Sequence, residues 1–226
     1  MKAIAIVVAC GREEEVAPDA EAGFLTLGGT PMLVHSLKTL EATPSIDGVI
    51  IAIAKKRVES MVSLVKRFGF TKIKGVVVGG VNRQSTLKAV LSKLPEPPPV
   101  IVIHEASRPF VSREVVEETL KSAKRYGCAI AAHKLPDAVK LSPKGFKATN
   151  TIDRNTAWVA ETPQAFKSEV LDRILKRKNA RIVDDESAYV GAPGEVHMVE
   201  AGPLNMKIRT AKDLAVATAL INAKVV

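Results

Sequence analysis

Residues 100–110, Val-Ile-Val-Ile-His-Glu-Ala-Ser-Arg-Pro-Phe, set a β-branched run directly before a carboxylate and a guanidinium. The run Val100–His104 predicts a strand buried on both faces, as in a parallel sheet. PEPPP at 95–99 stops a helix just before it. Outward from this strand, Lys2–Ala9, Gly48–Ala54 and Gly75–Val78 repeat the same signature. Helix-period stretches lie between them. Thr30-Pro31 predicts an N-cap and a first helical residue, with Leu33, Val34, Leu37 and Leu40 on one face. Further helices are predicted over 58–67, from Arg83 with Leu87, Val90, Leu91 and Leu94 inward, and from Ser112 to Gly127. Such alternation with right-handed crossovers predicts an α/β fold, a doubly wound and mostly parallel sheet with ligand loops at the strand C-termini.

Residues 137–152 break the rhythm. They alternate around Ser142-Pro143-Lys144-Gly145, a turn between two extended arms. A hairpin so poor in large apolar residues needs a partner surface. Packing on a second subunit is the preferred reading, and a flap over the same subunit is the alternative. Afterwards the α/β pattern resumes, with Phe166–Lys178 helical, Glu195–Val199 extended and a helix from Thr210 to about Ala223. The chain reads as one domain, 1–226, with the arm 137–152 within it.

Composition narrows the function. Among 226 residues, 33 Lys and Arg oppose 24 Asp and Glu, and only two are Cys. A disulfide-built secreted scaffold is excluded on this count, and a reducing, cytoplasmic setting is expected. The opening MKAIAIVVACGREEE is too short and too soon acidic for a signal peptide, and no apolar run reaches a membrane span of roughly 18 residues. The positive surplus points to anionic guests. It is dispersed, however, and six Phe, two Tyr and one Trp leave little for base stacking, so no nucleic-acid partner is expected.

Polar clusters mark where chemistry belongs. Ala9-Cys10-Gly11-Arg12 leaves the first strand at the ligand edge, but Glu13–Glu15 follow, so a phosphate cradle and a solvated turn both stand. Neither the dinucleotide fingerprint nor the P-loop pattern is present. Gly79-Gly80 permits close backbone approach, and Arg83, Ser85 and Thr86 place donors on the next helix's first turn, for a ligand or for ordinary capping. Glu105 suits Mg²⁺ shared with phosphate oxygens, and Arg108 suits a phosphate; an internal Glu–Arg pair is the alternative. His104, with no second ligand at metal spacing, reads as a bonded strand-end histidine. Asp153-Arg154, Thr162-Pro163-Gln164, Asp184-Asp185 and Asn205-Met206-Lys207 are further polar clusters. Lys207 follows a Gly-Pro turn and reads either as a phosphate-binding point charge or as a surface lysine.

Taken in order, LGGTPMLVHSL, GGVNRQST, VIHEASRPF, DAVK, TIDRNTAW, ETPQAF, DDESA and PLNMKI resemble the 2-C-methyl-D-erythritol 4-phosphate cytidylyltransferase family of the non-mevalonate isoprenoid pathway. The resemblance implies a nucleotidyltransferase-type, Rossmann-like fold and a homodimer joined by the β-arm. It implies CTP, a sugar-alcohol phosphate acceptor and Mg²⁺ or another divalent cation. By position, Ala9, Cys10, Gly11 and Arg12 begin its nucleotide loop, and Gly80, Arg83, Thr86 and Ala106 face the nucleotide. Glu105 stands at its metal-binding Asp. Arg108, Asp137, Lys140 and Thr162 fall on the acceptor side, with Ala138 in place of a Thr. Lys207, and Arg154 from the partner subunit, match the residues that position the acceptor phosphate.

This sequence departs from the family in the first loop. Counting back from Phe24–Gly29 without a gap, Glu15 stands at the family's Arg, Ala22 at its Lys and Glu13 at its second Gly. Those cations offset leaving-group charge, so the resemblance implies a slow or unusual catalyst. A non-catalytic nucleotide-binding homologue, and a cytidylyltransferase for another acceptor such as ribitol 5-phosphate, are the alternatives.

Overall fold

A computed structural model of the chain describes residues 3–10, 21–177 and 196–226. Gly11, Arg12, Glu13, Glu15 and the Asp184-Asp185 pair lie outside the described residues. The first half runs β1 (Ala3–Ala9), β2 (Thr26–Leu27), β3 (Thr30–Pro31), α1 (Met32–Ala42), β4 (Gly48–Ile53), α2 (Val58–Phe68), β5 (Ile73–Val78) and α3 (Arg83–Leu91). The second continues with β6 (Val100–Glu105), α4 (Arg113–Tyr126), β7 (Cys128–Lys134), β8 (Val139–Leu141) and β9 (Asn150–Ile152). It ends with β10 (Trp158–Lys167), α5 (Ser168–Leu175), β11 (His197–Glu200) and α6 (Ala211–Asn222).

Seven strands form one sheet in the order β11-β7-β10-β6-β1-β4-β5. Their β-branched composition follows from burial on both faces. Ala5, Val7, Val49, Ile51, Ile53 and Val102 point to one side, against Leu33, Leu37 and Leu40 of α1 and Val116 and Leu120 of α4. The alternate residues Ile6, Ile50, Ala52, Ile101 and Ile103 meet Leu87 and Val90 of α3 and Leu171 and Ile174 of α5. Each such large aliphatic side chain removed from water contributes roughly 1.5–3 kcal/mol. The sheet is therefore covered by helices on both sides, the doubly wound arrangement expected.

Chemistry at the helix ends matches the sequence at several places. Ser112 caps α4 by accepting from Val115 N, and Gly127 ends it at φ 94°. Asn82 caps α3, accepting from Ser85 N at 2.8 Å while the Ser85 hydroxyl accepts from Asn82 N at 3.1 Å. Asn82→Ala is expected to lower stability by about 1 kcal/mol. A lower urea midpoint at unchanged slope would show it.

Other expectations are corrected. Thr30 and Pro31 belong to the short strand β3, and Pro31 at ψ 135° precedes α1 rather than forming its first turn. Phe166 and Lys167 end a strand, so helix α5 begins only at Ser168. β5 lies at the sheet edge and is half-exposed, not buried on both faces, because among the described residues no strand pairs with its outer side. The sheet is mixed. β10 runs antiparallel to both of its neighbours, β6 and β7. That reversal decides where the functional groups go. It carries the start of β10, not its end, to the carboxyl edge of β6 and β7.

The hairpin is present as β8 and β9, paired antiparallel with Val139 opposite Ile152. Residues 141–151 are exposed throughout. Phe146 at its tip is fully exposed.

Candidate active site

The strand ends converge. β1 and β6 are locked at the ligand edge by Ala106 N donating to Val8 O at 3.0 Å, and the loop after β5 by Gly79 N donating to Ile53 O at 2.8 Å. A methyl on Gly79 would stand 2.6 Å from Cys10 Sγ, so only glycine lets this loop approach the end of β1. Thr86 Oγ1 accepts from Gly80 N at 2.9 Å and donates to Asn82 O at 2.9 Å. Its hydroxyl therefore shapes the loop from within, and its side chain is fully buried.

Glu105 is the centre of charge. Its Oε1 lies 2.8 Å from Lys207 Nζ and 3.4 Å from Arg83 Nη1, and its Oε2 lies 3.2 Å from Arg108 Nε. Burial alone would raise the carboxyl pKa; Lys207, Arg83 and Arg108 outweigh it and hold the group at about 2. The side chain is 12% exposed. Lys207 is thus a site lysine rather than a surface one. Its loop is tied down by Ile208 N donating to Ser107 O at 2.8 Å.

A second buried carboxylate lies on the other side of Arg108. Glu161, 3% exposed, takes Arg108 Nη1 at 3.0 Å, His133 Nδ1 at 2.8 Å and Asn205 Nδ2 at 2.9 Å. Arg108 Nη1 also donates to Asn205 O at 2.9 Å. β10 supplies Glu161 and Thr162, and its pairing with β7 shifts register between Ala160 and Gln164. An irregularity of this kind re-aims side chains beside a site. Thr162 Oγ1 accepts from Glu105 N at 3.1 Å and lies 3.2 Å from His104 Nδ1.

His104 is structural, as its sequence context predicts. Nε2 lies 3.1 Å from Arg108 O and 3.3 Å from Ser36 Oγ, and burial pushes its pKa down to about 4, so the ring is neutral at pH 7.

Glu105, Arg108, His133, Glu161, Thr162 and Lys207 wall a cavity of about 720 Å³ that also meets Lys134, Met206, Arg209, Glu200 and Asp213. Three cations on Glu105 and Glu161 leave a positive surplus at the carboxyl edge of the sheet, which suits phosphate.

Of the residues singled out by sequence, Ala9, Cys10, Gly80, Arg83, Thr86, Glu105, Ala106, Arg108, Thr162 and Lys207 gather at this edge. Arg154, Asp137 and Lys140 do not join the cavity wall. Arg154 Nη1 donates to Pro136 O at 2.8 Å, and Lys140 Nζ donates to Thr151 Oγ1 across the hairpin, also at 2.8 Å. Glu161 and His133 are site residues that sequence reasoning missed; Asn205, marked only as part of a polar cluster, joins them through Glu161. The available signal was a glutamate set directly before Thr-Pro-Gln, where a buried strand has no use for an unpaired charge.

The fold and this edge define the class: a doubly wound α/β protein whose strand-end loops gather a cluster of paired charges. The chain belongs to the IspD family, described as 2-C-methyl-D-erythritol 4-phosphate cytidylyltransferase, whose profile matches residues 3–223. It is 31% identical over 227 residues to the 2-C-methyl-D-erythritol 4-phosphate cytidylyltransferase of Shouchella clausii (strain KSM-K16), covering 99% of this chain and 98% of that protein. It is 34% identical over 222 residues to the bifunctional enzyme IspD/IspF of Desulforudis audaxviator (strain MP104C), covering 96% of this chain. The chain spans 56% of the length of that bifunctional relative. In fold it matches the crystal structure of 4-diphosphocytidyl-2C-methyl-D-erythritol synthase from Anaerococcus prevotii DSM 20548. The TM-score is 0.85 at 23% identity, over 97% of this chain and 96% of that one.

Proposed function

We propose that the chain transfers a cytidylyl group from CTP to 2-C-methyl-D-erythritol 4-phosphate, giving 4-diphosphocytidyl-2-C-methyl-D-erythritol and pyrophosphate. The observation that supports this most is the gathering of Arg108 and Lys207 on Glu105 at the wall of one cavity, with Arg83 reaching the same carboxylate from the start of α3. In this reading a phosphate oxygen of the acceptor attacks the α-phosphorus of CTP in line. One phosphorus–oxygen bond forms, the bond to the bridging oxygen breaks, and pyrophosphate leaves with the electron pair. Such chemistry depends on positioning and on neutralising charge. Lys207 and Arg108 hold the acceptor phosphate against the nucleotide. The loop through Gly80, Arg83 and Thr86, with Ala9–Arg12 and Ala106, takes the nucleotide.

Glu105 fits a divalent cation only in company with substrate. Among the described residues no three His, Cys, Asp or Glu side chains cluster to form a cage. Magnesium is held through one or two carboxylates plus phosphate oxygens, and one ionised carboxylate is what Glu105 offers. Arriving phosphates would draw Lys207 and Arg83 away from it. The bound ion would add positive charge opposite the transferring phosphoryl group.

The exposed arm, with Arg154 at its base, supports a homodimer in which the partner's arm completes the acceptor side together with Asp137 and Lys140. Free Cys10 and Cys128 accord with a cytoplasmic setting. A slow version of the same reaction, or one using another sugar-alcohol phosphate, is the second reading, carried by Glu15, Ala22 and Ala138. The test is pyrophosphate release from CTP and 2-C-methyl-D-erythritol 4-phosphate with magnesium, run beside ribitol 5-phosphate. Release with the first acceptor above the second supports the assignment; no release with either overturns it.

A further inference from the structure

We infer that His133, oriented by Glu161, reads a hydroxyl group of a phosphorylated polyol in the cavity beside Lys207. The polyol class rests on the proposed function; the hydrogen-bond logic is independent of it. Glu161 accepts at both oxygens: Arg108 Nη1 and His133 Nδ1 share Oε1 at 3.0 and 2.8 Å, and Asn205 Nδ2 reaches Oε2 at 2.9 Å. A carboxylate surrounded by donors fixes the imidazole proton on Nδ1. With that proton on Nδ1, the uncharged form of the ring carries its lone pair on Nε2. That nitrogen has no hydrogen-bond partner among the described residues, and the side chain, 30% exposed, lines the cavity.

The chemistry offered there is selective. Phosphate oxygens are acceptors and gain nothing from another acceptor; they are served by Lys207, Arg108, Lys134 and Arg209 on the same wall. A hydroxyl is a donor, and Nε2 is the kind of group that takes it. The cavity therefore joins cations for one end of a ligand to an imidazole acceptor for its hydroxylated body. Glu161 is a positioning residue in this arrangement. Its burial at 3% exposure is compensated by three donors, one of which is the ring it orients.

The test is direct titration of the intact protein and of the variants His133→Phe, His133→Gln and Glu161→Gln with 2-C-methyl-D-erythritol 4-phosphate and with inorganic phosphate. Phenylalanine keeps the ring volume and loses the acceptor; glutamine restores an acceptor oxygen. His133→Phe is expected to weaken polyol-phosphate binding about tenfold while inorganic phosphate binding stays within about twofold. His133→Gln should recover most of the loss, and Glu161→Gln, which frees the ring to turn, should fall between. Equal losses for both ligands, no loss for either, or no polyol-phosphate binding to the intact protein overturns the inference. If the His133 dependence holds but CTP yields no pyrophosphate, the inference stands and the proposed transfer reaction falls.

Discussion

Replacing Lys207 with alanine is expected to lower kcat/KM for pyrophosphate release about a hundredfold or more. The ammonium reaches Glu105 at 2.8 Å, where the proposed phosphates meet, and it is 21% exposed, so solvent only partly screens it. Removing one charge-stabilising donor from a preorganised site typically costs ~2.7–4 kcal/mol of transition-state stabilisation, and ~2.7 kcal/mol is already about a hundredfold. The fold should survive, since Arg83 and Arg108 still pair with Glu105. Steady-state kinetics with both substrates varied would check it. A change of less than about threefold would remove Lys207 from the reaction.

Glu105→Gln should have the largest effect on stability. The substitution leaves Arg83, Arg108 and Lys207 facing a neutral amide in a partly buried site, and breaking such a cluster by removing one partner is costly. The carboxyl pKa falls from 4.5 to about 2 on folding, with burial opposing and the three cations prevailing. A depressed native pKa contributes stability that is present above 4.5 and is lost as pH falls from 4.5 through 2. The contribution at neutral pH is about 3 kcal/mol at 1.36 kcal/mol per pKa unit. Denaturant titrations of both proteins between pH 7 and 2 should therefore show a gap of that order at pH 7 which closes as the wild-type carboxylate protonates. Parallel curves across this range would contradict the ion cluster.

Sequence reading reached the scaffold through residues whose signals are local. Val100–His104 and Gly48–Ile53 announce strands by unbroken β-branching, and Ser112 and Gly127 bracket α4 by capping chemistry. Strand β7 escaped because Cys-Ala-Ile-Ala-Ala-His-Lys holds three alanines and a single β-branched residue, with little of the composition that marks a strand. Strand β10 escaped because Glu161-Thr162-Pro163-Gln164 places polar residues and a proline inside it, which ordinarily argues against a central strand. Phe166 then looked like the start of a helix, since Val170 lies one helical turn on. For the site, Glu105, Arg108 and Lys207 stood out because charged residues flanked apolar runs or turns. The Glu161–His133 pairing could not be read, because its two members are 28 residues apart and only the β7–β10 register, with its shift at Ala160, brings them together.

The place of β10 has a consequence for how the protein comes into being on the ribosome. β6 and β7 are synthesised with an empty lane between them, and the strand that fills it emerges only after the hairpin. Until then β6 exposes unpaired backbone along one side and β7 along both, since β11 comes later still, open to pairing with another chain. The inserted strand also delivers Glu161 and Thr162, so the groups contributed later by Asn205 and Lys207 find their partners only once that lane is zipped shut. A nascent chain has no functional pocket to protect before its sheet is whole.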